Sequence, residues 1–170
     1  MNALDLLKQQ HRETEELFEK LESAPAEQKQ ACFNTLADAL AVHTAIEERH
    51  FYPAAATGPE VNELLRAAAE EHLGVKRFIA DLLALDVGDP TFEAKVGVLE
   101  EQVEHHVTEE EEELFPKVAK ALDARTLEAL GQEMEVMTKS LAGTDPRNEI
   151  PRQTIAATSV EPEQGKPRAA

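Results

Sequence analysis

Two segments of this chain follow one pattern, and each has to be helical for the pattern to make sense. They are HTAIEERHFYP, from His43 to Pro53, and HVTEEEEELFP, from His106 to Pro116. In both, a His is followed four residues later by a Glu, and an aromatic–Pro pair closes the segment at the same offset. Residues four apart on a helix stand on one face, so His43 with Glu47, and His106 with Glu110, each present an imidazole and a carboxylate in one direction. That donor set suits iron, zinc or manganese. One further His lies upstream of each segment: His11 precedes His43 by 32 residues and His72 precedes His106 by 34. The chain reads as two helical hairpins of one design, each supplying a His and then a His–Glu pair.

The apolar periodicity carries these residues inward. Leu4, Leu7, His11, Thr14, Phe18 and Leu21 follow at steps of three and four behind a candidate N-cap, Asn2, and Ser23-Ala24-Pro25 ends that helix. A second helix is expected from about Ala26 to a stop at Phe51-Tyr52-Pro53, with Phe33, Leu36, Leu40, His43, Glu47 and His50 on one stripe. After a turn at Gly58-Pro59, a third helix carries Val61, Leu65, Ala68, His72, Val75, Ile79 and Leu82. Asp89-Pro90 then reads as an N-cap with proline at the first helical position, opening a fourth helix that faces inward with Val96, Leu99, Val103, His106, Glu110 and Leu114. His106 is preferred over its neighbour His105 because it continues the apolar stripe. A short fifth helix is expected over about 123–139, its Met134 and Met137 serving as packing.

These elements predict an all-α protein: an antiparallel up-down-up-down four-helix bundle with a short C-terminal fifth helix. Residues 1–141 form the bundle domain in this reading. Residues 142–170, with four prolines and no periodicity, read as a disordered tail. A role for that tail in docking a protein partner is an open alternative.

The formal charge of −17 argues against nucleic acid or an anionic membrane surface as partners. With a single cysteine, Cys32, neither an internal disulfide nor a Cys-rich metal site can form. The N-terminus lacks a basic start and a sustained apolar run, which reads as no signal peptide, and no apolar stretch approaches membrane-spanning length. A cytoplasmic protein is the expectation.

One His from each of four helices and one Glu from each of two make six ligands, too many for one tetrahedral zinc and suited to two metals bridged by carboxylates. In these residues the chain resembles the hemerythrin-like (HHE cation-binding) family over about residues 1–140. The residues that carry the resemblance are His11, His43-Thr44-Ala45-Ile46-Glu47, His72, and His106-Val107-Thr108-Glu109-Glu110, with the FYP and LFP closures. The resemblance implies a non-haem centre of two Fe ions, with Glu47 and Glu110 as bridging carboxylates, the histidines as terminal ligands, and O2, NO or peroxide as the small-molecule ligand.

Two departures bear on chemistry. Oxygen-carrying hemerythrins have a second His four residues along the third helix, where this chain has Lys76; they also have Asp five residues after the fourth-helix His, where Glu110 follows His106 by four. Glu15, His50 and Glu113, each about one turn from a ligand, are candidates for the missing donor, and Glu47–His50 has the ExxH spacing of ferritin-like bundles. The resemblance thus implies a protein that binds or senses O2 or NO, or handles iron. An enzyme such as a peroxidase or an NO or O2 reductase is the alternative.

Overall fold

The computed structural model describes residues 1–158, which form helices joined by short turns and contain no strand. Helix α1 spans Ala3–Glu22; the Asn2 side chain accepts the Asp5 N–H at its start, and Ser23 closes it. Pro25 breaks the chain before α2, Ala26–Ile46. The first departure from expectation comes at the aromatic–Pro closures, which do not end their helices.

Helix α2 widens into a π turn over Glu47–Phe51, where the Tyr52 N–H bonds the Glu47 carbonyl five residues back, and then continues as α3, Tyr52–Ala55. After Gly58 come α4, Pro59–Leu83, and α5, Pro90–Glu109, the latter capped by Asp89 accepting from Thr91 N–H. Helix α5 widens in turn over Glu110–Leu114, with the Phe115 N–H on the Glu110 carbonyl, and resumes as α6, Phe115–Ala121. In a regular α-helix, proline clashes with the carbonyl four residues back and forfeits a bond. The wide turn relieves both, and so Pro53 and Pro116 sit in the first turn of a resumed helix and do not end it.

The core is divided. At one end Leu6 and Leu7 of α1 pack with Ile46, Val61, Leu65, Leu114 and Phe115. At the other, Phe18 and Leu21 pack with Phe33, Leu36, Val75, Ile79, Phe92 and Leu99. Helix α1 therefore runs from the first core to the second, α2 returns, α4 runs out again and α5 returns. Each fully buried side chain of this size contributes about 1.5–3 kcal/mol. Between the two cores lies a polar layer: His11, Thr14, His43, Thr44, Glu47, His72, His106 and Glu110, all buried.

Helix α7, Ala124–Leu141, starts at Asp123, whose carboxylate accepts the Thr126 N–H, and closes the first core with Leu127, Leu130 and Met134. It passes so close to the N-terminus that a Cβ on Gly131 would fall 2.4 Å from the Met1 carbonyl oxygen.

The segment from residue 142, expected to be structureless, is ordered as far as the described residues extend. A 3-10 turn, Pro146–Glu149, leads into α8, Ile150–Thr158. Ile150 is 1 % exposed within the second core, and Arg147 binds Asp38 of α2 through its backbone N–H, 3.0 Å from Oδ1, and its guanidinium. Pro146 and Pro151 begin helices here, a position proline favours, and do not interrupt them. The remainder of the expected tail lies outside the described residues. No helix among the described residues is long and apolar enough to cross a membrane.

Candidate metal centre

The polar layer is built from the repeat. His11 and His72 come from mid-helix in α1 and α4, His43 and His106 from the last turns of α2 and α5, and Glu47 and Glu110 open the two π turns. The wider turn re-aims the chain after each Glu, which lets Tyr52 and Phe115 fold back over the layer. Tyr52 stacks on His72, with ring centroids 5.4 Å apart, and Phe115 stacks on His11 at 5.8 Å.

Ligand-competent atoms of His11, His43, Glu47 and Glu110 all lie within 4.8 Å of one another, and so do those of Glu47, His72 and His106. Glu47 belongs to both groups. Its Oε2 is 3.1 Å from His43 Nε2 and 3.2 Å from His72 Nε2, while Glu110 Oε2 is 3.4 Å from His11 Nε2 and 3.7 Å from His106 Nε2.

Each imidazole is held from outside through its other nitrogen. His11 Nδ1–H donates to Glu111 Oε1 at 2.8 Å and His72 Nδ1–H to Glu48 Oε1 at 3.0 Å. His43 Nδ1–H donates to Gln10 Oε1 at 2.9 Å and His106 Nδ1–H to Glu71 Oε2 at 2.7 Å. With all four Nδ1 atoms carrying the proton, all four Nε2 lone pairs point inward, the arrangement that orients metal-binding histidines.

The interior is consequently crowded with acceptors. His72 Nε2 and His106 Nε2 lie 3.1 Å apart. The Tyr52 hydroxyl faces Glu110 Oε1 and His72 Nε2, each at 3.1 Å, and has one proton for the two. Among the described residues, no hydrogen bond reaches His11 Nε2, His43 Nε2, either oxygen of Glu47, or Glu110 Oε2. With both carboxyls ionised, four ring nitrogens and four carboxylate oxygens converge with one phenol proton between them. Buried acceptors without donors are costly, and a multivalent cation is the partner this geometry fits.

The titration behaviour agrees. Burial, then the Glu110 charge, push the Glu47 carboxyl well above the usual range. Burial also opposes the Glu110 charge, but His106, His11 and His43 outweigh it and hold that carboxyl at about 2. Burial and neighbouring imidazoles push His43 well below its ordinary value, and burial lowers His72. His106 is raised: burial resists its charge, and Glu110 and Glu71 overcome that resistance. Burial with the nearby Glu47 and Glu110 charges raises the Tyr52 phenol.

All six candidate ligands read from the sequence thus meet in one layer. Of the neighbouring histidines, His106 has a side chain 5 % exposed inside the cluster, while His105 is 64 % exposed and faces Glu109 and Glu71 on the surface. The three candidates for an extra donor stand apart from the cluster. Glu15 and Glu113 are exposed, and half-buried His50 pairs with Glu133 at 3.6 Å. Lys76, where a fifth imidazole was missing, is buried and turns away to Glu48, its Nζ 2.7 and 2.8 Å from the two carboxylate oxygens.

Sequence reasoning missed Tyr52 and the four outer partners. The repeat does encode them. Glu48 and Glu111 each follow the Glu of a His–Glu pair, Gln10 and Glu71 each precede the first His of a hairpin, and Tyr52 and Phe115 occupy one offset.

Helices of alternating direction around a buried layer of imidazoles and carboxylates define an all-helical cation-binding protein. The match to a known family is specific: residues 2–118 fit the family model for the Hemerythrin HHE cation binding domain, and the chain belongs to that family. It is 29% identical over 148 residues to the uncharacterised protein Rv2633c of Mycobacterium tuberculosis, covering 85% of this chain and 89% of the relative, and equally to the uncharacterised protein Mb2666c of Mycobacterium bovis. The fold is similar to the crystal structure of a Hemerythrin HHE cation binding domain-containing protein, the Rv2633c homolog from Mycobacterium kansasii. The TM-score is 0.77 at 27% identity, covering 92% of this chain and 96% of that one.

Proposed function

We propose that His11, His43, Glu47, His72, His106 and Glu110 hold two non-haem irons in an up-down-up-down four-helix bundle, with Glu47 and Glu110 bridging. The centre binds or senses O2 or NO, or handles iron. What carries this reading is the surplus of inward acceptors, four Nε2 lone pairs and four carboxylate oxygens, each imidazole already anchored by its Nδ1–H. Two irons held there would supply adjacent one-electron redox centres. The chain supplies the rest. Glu111, Gln10, Glu48 and Glu71 fix ring orientation, and Leu40, Val75, Val103 and Val107 line, with the four imidazoles, a cavity of about 10 Å³.

Iron stoichiometry, with an absorption spectrum recorded after anaerobic reduction and again on admitting air, tests this reading. Two irons per chain and a reversible visible band are expected; a colourless protein that refuses iron removes it.

The enzyme reading has an observation of its own in Tyr52. Its hydroxyl lies within hydrogen-bond reach of both Glu110 and His72, and a phenol at such a centre can hold a proton or yield an electron during turnover of peroxide, NO or O2. Peroxide consumption by the iron-loaded protein that falls at least tenfold in Tyr52→Phe, with iron content unchanged, supports it. Turnover that survives in both Tyr52→Phe and Glu110→Ala excludes the centre as its source.

A further inference from the structure

The two halves of the polar layer match in their four histidines and two inner glutamates and differ around them, most sharply at one position on the outer side. Glu48 and Glu111 are counterparts, each accepting the Nδ1–H of a mid-helix His. The residues one turn beyond those histidines are also counterparts: Lys76 follows His72 by four and Glu15 follows His11 by four. On the first side the Lys76 ammonium, 7 % exposed, lies on both oxygens of Glu48 and seals the layer. On the second side no such plug is present among the described residues. A cavity of about 560 Å³ opens between α1 and α5, and His11 lies in its wall with Glu15, Glu100, Glu104, Glu111 and Glu112.

Three observations say what this groove takes. Its rim is strongly acidic, with Arg12 the one cation among its lining residues, and a cleft lined by one sign of charge concentrates the opposite ion. Its wall includes a buried imidazole, His11, 6 % exposed, whose Nδ1–H is held by Glu111 on the groove side while its Nε2, without a hydrogen-bond partner among the described residues, faces the interior. And at the equivalent place in the other half a cation is already bound, as Lys76 Nζ on Glu48. His11, Val103 and Val107 also wall the small cavity beside the four imidazoles, so these three side chains separate the groove from the interior. Glu100 experiences the local field: partial burial, then Glu104, Glu22 and Glu19, raise its carboxyl.

We propose that the groove between α1 and α5 is the loading route for divalent metal, in which Glu15 and Glu111 take a cation at the counterpart of the Lys76 ammonium and pass it across His11 into the interior. This rests on the reading of the polar layer as a metal centre. It also accounts for part of the acidic run after Glu109: Glu111 and Glu112 face the groove, whereas Glu110 faces the interior.

The test is stopped-flow uptake of Co(II), which needs no oxidant, by metal-free full-length protein, with the final stoichiometry measured on the same samples. Glu15→Lys rebuilds on this side the plug that Lys76 forms on the other. Glu128→Lys on α7, exposed and outside the groove lining, makes the same change in net charge. Expected are uptake slowed about tenfold or more in Glu15→Lys, little change in Glu128→Lys, and two Co(II) per chain in both. Glu15→Gln should fall between wild type and Glu15→Lys, and wild-type uptake should slow as ionic strength rises. Wild-type rates in Glu15→Lys, or equal slowing in the two Lys variants, overturn the route while leaving the centre intact. A wild-type protein that binds no Co(II) overturns the centre and the route together.

Discussion

Glu47 is 0 % exposed, neither of its oxygens accepts a hydrogen bond, and Glu110 stands beside it. A carboxyl whose folded-state value is raised contributes stability that is fully present below its ordinary value of 4.5 and is lost as the pH rises to and through the elevated one. In metal-free protein at neutral pH that contribution is therefore reduced or gone. Gln has no proton to lose. Glu47→Gln should stabilise the metal-free protein at pH 7 by about 1–3 kcal/mol, the gap closing as the pH falls towards 4.5, while abolishing tight binding of two metals. Urea midpoints against pH, beside metal analysis, decide this; a metal-free variant less stable than wild type at pH 7 would mean that the carboxylate is satisfied in some way the geometry does not show. One step further out, Glu71 orients His106, and Glu71→Ala should weaken metal affinity about 10–100-fold with the fold intact, measurable by competition with a chelator.

Among the elements, the two π turns mark the limit of what periodicity can reveal. Helical stripes and two caps were legible: Asn2 and Asp89 accept backbone N–H groups at helix starts, and His11, His43, His72 and His106 are buried as their stripes required, while His50, placed on the stripe of His43, is only half-buried. The π turns were not, because an aromatic–Pro pair reads as a stop unless the preceding turn widens. For the same reason Tyr52 passed for a terminal residue, although it is 8 % exposed over the polar layer. Helix α7 was placed by its stripe, but its closeness to the N-terminus was not, since only Gly131 signals it and an isolated glycine has many meanings. Gly131→Ala drives a methyl into the backbone of Met1 to Ala3, which should cost about 1–3 kcal/mol and lower the urea midpoint, with metal stoichiometry preserved. An unchanged midpoint would show that the N-terminus gives way freely.

For the whole molecule, residues 142–158 belong to the packed body, a point composition concealed because prolines that start helices look like prolines that break them. Ile150→Ala should destabilise the protein by about 2–5 kcal/mol, and ending the chain at residue 144 by at least as much, without changing the number of metals bound. A truncated chain with the full melting temperature would contradict that packing. The division of the interior into two apolar ends and a polar waist reaches further still. Hydrocarbon contacts hold each end together, but across the waist the four main helices meet through imidazoles and carboxylates that repel or strand one another until a cation joins them. Metal at the waist should therefore tie the two apolar ends together through the helices they share, and in its absence amide exchange near the waist should quicken before either end lets go.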